Sequence, residues 1–426
     1  MKTIPTLFFL LAIAGVTSLR AQEEVTVSVG NNYSNQAYYN IDTDAVTTLD
    51  NESWDLAFST GPTDGGIFLN EATKAVFSGT IPDLKLWLGL TTDFSDPIDP
   101  GTLTDSLFNE EEDWQNGAFN SFKDDLDPSD FGWGFYDSGD NSVVGIRVFA
   151  LKLRNGNWKK IKVESMIGGV YTMKYADLNG NNETTVAIDK ADFAGSPMAY
   201  FSFETGTAVA SPSDWNFLFT RYLDELGGAG TPIQYQVTGV LSGPGVEVAE
   251  ARYIDPSTVD YEDYIDSFDT HLDVIGQDWK YFNLTTFSWV LESDLAFFAK
   301  MANNDLWKLV FTGFGGSTTG NFIFEKTYLG QLTTGLSEAG SNFSDFGVFP
   351  NPASGECTLS FSLVEARENV PLRMVNGLGQ EVWRSDVVGH SGLNTLTLNT
   401  RNFPVGIYYV LIGEPGNAVA VKISIL

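Results

Sequence analysis

Hydrophobic and polar residues alternate in many short runs along this chain with a period of two, the spacing of a strand with one buried face. Such runs cover residues 24–29, 38–41, 54–58, 142–153, 158–163, 170–175, 199–203, 215–220, 234–240, 293–299, 307–312 and 321–326. Several are joined by Gly-Asn, Gly-Gly or Asn-Asn pairs, the chemistry of tight antiparallel turns. Helical spacing shows only near 211–214 and 262–273. The pattern predicts an all-β protein.

The same phrase occurs twice. Residues 38–60 are YYNIDTDAVTTLDNESWDLAFST, and residues 200–222 are YFSFETGTAVASPSDWNFLFTRY. Later landmarks keep the same order: the offset is 162 between Tyr38 and Tyr200, 161 between Trp54 and Trp215, 146 between Trp133 and Trp279, and 149 between Trp158 and Trp307. A duplicated β unit follows, with the first copy expected over 22–196 and the second over 197–335. Within Trp-Asp-Leu-Ala-Phe, alternation predicts Trp54, Leu56 and Phe58 on one face and Asp55 and Ala57 on the other, in a central strand. In Trp-Lys-Lys-Ile-Lys-Val it predicts Trp158, Ile161 or Val163 inward and the lysines outward.

The ends differ from the middle. Residues 1–21 begin with one Lys, run apolar from Ile4 to Val16 and finish Ser18-Leu19-Arg20-Ala21. That is the pattern of a secretory signal cut after Ala21, too short to span a bilayer, so no transmembrane segment is expected in the mature chain. After a linker at 336–345, residues 346–426 carry closely spaced strands and turn pairs, as in Thr358-Leu359-Ser360-Phe361-Ser362-Leu363, and predict a small β-sandwich. Here Phe349-Pro350-Asn351-Pro352, Gly379-Gln380, Gly392-Leu393-Asn394, Pro404, Gly406, Tyr408 and the terminal strand with Lys422 resemble the type A sorting domain of the type IX secretion system. That resemblance implies the type IX machinery as a partner, and a Bacteroidota protein at the cell surface or outside the cell. Pro350, Asn351, Pro352, Gly379, Gly406, Tyr408 and Lys422 would be its signature residues.

The repeated aromatics, with the Trp-Asp-apolar-Ala-Phe phrase and the Trp-Lys-Leu-x-Phe-x-Gly hairpin, resemble HmuY-like exported β-proteins, whose namesake is a haemophore. The resemblance implies two HmuY-like antiparallel units and a bound haem or other flat hydrophobic ligand. A bis-His haem clamp does not fit, because the chain has two His, His271 and His390, and the second lies in the sorting domain. Met166, Met173, Met198 and Met301 are the remaining soft ligands, and Met173 sits in a strand where a core role is the default.

Charge narrows the partners. The chain has 55 acids against 24 bases, a formal net charge of −31. Such a charge argues against nucleic acid and anionic lipid. One Cys, Cys357, excludes an intramolecular disulfide. Asp177, Asn179, Asn181 and Glu183 place oxygens at alternate positions, as calcium loops do, although Ile188 stands where an EF-hand needs Glu. The acid runs 110–113 and 124–130 are expected to be solvated loops. No nucleophile elbow, zinc-protease motif or phosphate-binding Gly loop is present, so the expectation is a non-catalytic binding protein. The alternative is a structural or adhesive surface protein without a small ligand.

Overall fold

The computed structural model describes residues 22–72, 84–139, 141–226, 233–332, 343–363, 366–376, 380–413 and 419–426. The segment 1–21 read as a signal, with Ala21, lies outside them, as do Gly379 and residues 336–342 of the expected linker. The chain forms two compact units, 1–330 and 331–426. Both are built almost wholly of antiparallel strands, the first with short 3-10 turns and the second with one parallel pairing at Ala353 and Ile425, and the protein is all-β.

The first unit is built of four larger sheets with three hydrophobic cores between them, and a two-stranded hairpin, Lys280–Asn283 with Ser288–Leu291. Alternation is clearest in the outer sheets, where Asn321–Gln331 buries Phe322, Phe324 and Lys326 in turn and Val170–Ala176 buries Tyr171 and Met173. It vanishes in the two four-stranded inner sheets, whose strands Asn35–Tyr39, Leu56–Ser59 and Met198–Ser202 are buried on both faces. A strand between two layers has no solvent side, so it reads as continuous apolar sequence. Ala37 and Tyr39 thus enter one core while Tyr38 enters the next.

The pairing of strands changes the reading of the repeat. Leu56–Ser59 hydrogen-bonds to Met198–Ser202, and Val170–Ala176 to Thr184–Asp189. Conversely, Asn35–Tyr39 pairs with Phe217–Leu226, and Glu23–Ser28 with Asn321–Gln331. One sandwich therefore holds residues 56–176 together with 184–210, and the other holds 217–331 together with 23–50. Each copy of the repeat gives its first three strands to the other copy's sandwich. A boundary at 196 does not separate the two sandwiches, because the ladder of Met198–Ser202 belongs with the strands before it.

The duplicated phrase encodes this exchange: a strand, a hairpin, a crossover and the first strand of the other sandwich. At the crossing the two copies meet. The hydroxyls of Tyr38 and Tyr200 share a 2.7 Å hydrogen bond, and Trp54 stacks on Tyr200 with ring centres 4.2 Å apart. Trp215 meets Tyr38 edge to face at 5.2 Å. Trp54 thus leaves the face expected for it, because it precedes the strand, lies in the crossover and joins the middle core, while Leu56 and Phe58 face the first sandwich. The strand Leu56–Ser59 is central in its sheet, as its apolar composition predicts.

Two further expectations differ. Lys160 is fully buried, because the loop around Phe94 covers that face and its Nζ donates to the Phe94 and Asp96 carbonyls. Residues 211–214 form no helix, and the second helical stretch is a 3-10 segment, Tyr261–Ser267.

The second unit is a sandwich with a seven-stranded hydrogen-bonded order. Glu356–Leu363 alternates as expected, burying Cys357, Leu359, Phe361 and Leu363.

Candidate functional site

Where the sandwiches cross, the outer surface opens into a cleft of about 760 Å³. The first sandwich supplies residues 59–64, 113–115 and 195–198, and the second supplies 243–247, 270 and 272 with the crossover residues Asp214 and Trp215. Trp114 and Trp215 stand edge to face at 5.7 Å, both partly exposed. Their indole N–H groups are spent on the Ser242 and Pro212 carbonyls, which fixes both rings. The wall carries Asp64, Asp113, Asp214 and Glu247, and none of its residues is Lys, Arg or His. Asp113 caps the turn to Asn116, Asp214 accepts from Asn40, and Glu247 pairs with Lys300 at 2.6 Å.

Trp114 and Met198 also line a second, smaller cavity of about 60 Å³ inside the middle core. Glu71 lies there, with Oε1 accepting from the Asn109 N–H and its backbone carbonyl from Gln236. Burial pushes its carboxyl up to about 8. Glu111 is likewise raised to about 8, first by burial and then by the nearby Glu71 and Asp273. Burial also raises Asp273. The run 110–113 is solvated at Glu110 and Glu112 but not throughout: Glu111 is half-buried, and its carbonyl accepts from Leu272 and ties the two sandwiches together. In the run 124–130, Asp130 is buried and accepts from the backbone of Asp124 and Gly132. Lys280, sealed against Trp279, is brought down to about 7 by burial, and its Nζ donates to the Thr238 and Gln277 carbonyls.

The residues singled out for metal or haem chemistry lie elsewhere. Asp177, Asn179, Asn181 and Glu183 sit on the turn before Thr184–Asp189, but Asp177 is committed to Lys159 and Asn182, and Glu183 lies by Lys174. The Asn179 side chain caps the Asn181 N–H. Among the described residues no three His, Cys, Asp or Glu gather as a metal site. His271 is exposed and bonded to Asp269, which raises its pKa. His390 lies in the other unit. Met173 and Met301 are core residues, and Met198 alone of the four reaches the cleft. Trp114 and Glu71 were not foreseen; the one signal for Trp114 was a tryptophan inside an acid run.

In the second unit, Asn351 donates to the Lys422 carbonyl and accepts from the Ser424 N–H. Tyr408 is buried and donates to the Pro404 carbonyl, pinning the turn before Gly406–Ile412. Asn351, Tyr408 and the strand of Lys422 therefore belong to one side-chain frame, flanked by Pro350 and Pro352.

An all-β exported protein with a C-terminal sorting module is the class these features define. The family described as "Secretion system C-terminal sorting domain" matches residues 347–426. The protein is accordingly carried across the outer membrane to the cell surface or extracellular space. Among the described residues no helix is long and apolar enough to cross a membrane. Comparison with curated proteins finds no match. Among solved structures, the dimeric latent PorU from Porphyromonas gingivalis is similar at 9% identity and a TM-score of 0.17. The match covers 95% of this chain and 34% of that one, so this chain spans about a third of its length. Likeness at that level carries no argument.

Proposed function

We propose that the exported protein is a non-catalytic binding protein whose ligand seat is the cleft between the strand-exchanged sandwiches. The observation that carries this reading is the pair of fixed, partly exposed tryptophans on a cleft that neither sandwich could form alone. Its volume lies within the range of small-molecule sites, roughly 300–1,000 Å³. Aromatic walls favour a flat ring, which agrees with the flat ligand implied by the HmuY-like resemblance. The wall's charge disfavours haem itself: two propionates would face carboxylates with no base in the lining, and Met198 is the one soft ligand there. Three of the four wall acids, Asp113, Asp214 and Glu247, are held by turn, amide and lysine partners, which supports binding rather than catalysis. The alternative, a structural surface protein, draws on the well-filled cores.

The test is saturation-transfer NMR of the mature chain with tryptophol, a neutral flat probe, alongside a haemin titration followed by absorbance. Saturable tryptophol binding that is lost in Trp114→Ala/Trp215→Ala, with no Soret shift at one or two equivalents of haemin, supports the reading. Absence of tryptophol binding favours the structural alternative, and a saturable haemin shift refutes the charge argument.

A further inference from the structure

Both copies of the repeat carry the same hairpin with different tips. In the first copy Gly134–Asp137 turns into Ser142–Gly145, and in the second Lys280–Asn283 turns into Ser288–Leu291. The registers agree: Phe135 lies opposite Val144, and Tyr281 lies opposite Val290. The turns agree as well, since the Asp137 carboxylate accepts from the Gly139 N–H and Asn283, at the corresponding position, from the Thr285 N–H. Their chemistry does not agree. The first tip reads Asp137-Ser138-Gly139-Asp140-Asn141, and the second reads Asn283-Leu284-Thr285-Thr286-Phe287. Asn141 and Phe287 occupy the same place in the turn, and both have positive φ, +56 and +50. Asn tolerates that left-handed conformation, whereas a bulky ring resists it. Phe287 gains no burial in exchange, being 77% exposed beside Leu284 at 78%. Folding does not call for these two side chains, because the first copy makes the same turn without them.

We propose that the second hairpin is a lipid-binding element whose tip inserts Leu284 and Phe287 into a zwitterionic membrane surface. Residues 281–291, YFNLTTFSWVL, hold no charged side chain in a chain that is 19% charged. Tyr281, Phe282 and Trp289 are exposed beside the tip, and such a mixture of rings and aliphatics settles at a bilayer interface. With about 150–250 Å² to an aromatic side chain, the five exposed portions come to roughly 500 Å². That matches a functional apolar patch, roughly 300–600 Å², and falls short of the roughly 800 Å² per partner of a stable protein interface. A lipid surface asks for no matched hydrogen bonds, and the tip has few to offer. The Thr286 and Ser288 hydroxyls bond to each other at 2.8 Å, and the Asn283 side-chain oxygen is taken by the Thr285 and Thr286 N–H groups. The root is braced, with Trp289 edge to face on Phe282 at 5.3 Å and on Phe314 at 4.9 Å. A net charge of −31 repels anionic headgroups and leaves neutral ones as the surface that suits.

The experiment is co-sedimentation of the mature chain with phosphatidylcholine vesicles, with and without added phosphatidylserine. Beside it stands Leu284→Ser/Phe287→Asn, which puts the first tip's residues at the same two places in the second. The native chain is expected to sediment with phosphatidylcholine, and less so at low salt once phosphatidylserine is present. The double variant should bind at least about tenfold more weakly, as the loss of two exposed apolar side chains implies. Its urea unfolding should be no weaker than native, because Asn suits the φ that Phe287 resists. A native chain that stays in the supernatant overturns the lipid assignment. If sedimentation velocity then shows a dimer that the variant loses, the occupant is a second copy of the chain. Equal vesicle binding by the variant overturns the assignment to this tip, and a preference for phosphatidylserine overturns the choice of a neutral surface.

Discussion

Glu71→Gln is the substitution with the most to say about the middle core. The Glu71 carboxyl is buried between the inner sheets and raised to about 8 from an ordinary 4.5. Its folded pKa exceeds its unfolded one, so the folded state binds more protons between those values. Stability is therefore full below about pH 4.5 and falls as pH rises to about 8. At 1.36 kcal/mol per pH unit the whole gap is worth roughly 5 kcal/mol, and screening in a real interior brings it to about 2–5 kcal/mol. Gln has the shape of the protonated acid and keeps an oxygen for the Asn109 N–H. Urea unfolding of the mature chain at pH 5, 7 and 9 measures the difference. Nine of the ten tryptophans precede residue 330, so fluorescence reports on the first unit. Glu71→Gln should match the native chain within about 1 kcal/mol at pH 5 and exceed it by about 2–5 kcal/mol at pH 9. An equal loss at both pH values would refute the reasoning.

Three other outcomes follow from the same geometry. Tyr200→Phe leaves the Tyr38 hydroxyl buried without its partner and should cost about 1–3 kcal/mol, whereas the Tyr38→Phe/Tyr200→Phe pair should recover most of it in a double-mutant cycle. Expressed separately, residues 22–180 and 181–426 should each fail to build the first unit's sandwiches and should restore native tryptophan fluorescence on mixing, because each fragment holds strands of both sandwiches. Autonomous folding of either sandwich would contradict the exchange. Asn351→Ala removes two bonds that clamp the last strand, so denaturant melting of the second unit should show a loss of about 1–3 kcal/mol and fractionation should show reduced export.

Much of the fold was legible because strands with a solvent face write their register into alternation: the run from Glu356 to Leu363 is buried as its pattern says. The inner sheets were legible as strands but not as layers, since Leu-Ala-Phe-Ser is apolar on both sides whichever core it meets. The repeat was visible; the exchange was not, because a duplicated phrase fixes which strands correspond and leaves open which of them pair. Trp54 shows the limit well: two residues before the strand, its side chain no longer obeys the strand's alternation. Lys160 shows another, as a loop distant in sequence supplies carbonyls that make a buried ammonium tolerable. The cleft escaped notice for the same reason. Its tryptophans, 114 and 215, come from different copies and meet only through the crossing.

The most direct test of the binding account is the affinity of the mature chain for tryptophol, set beside that of Trp114→Ala/Trp215→Ala. Loss of both rings should weaken binding by about tenfold or more while the β spectrum stays native, although unfolding by urea should register a loss of about 3 kcal/mol or more because both rings pack against the middle core. Undiminished binding in the double variant would contradict the claim that the seat lies between the two interlocked sandwiches.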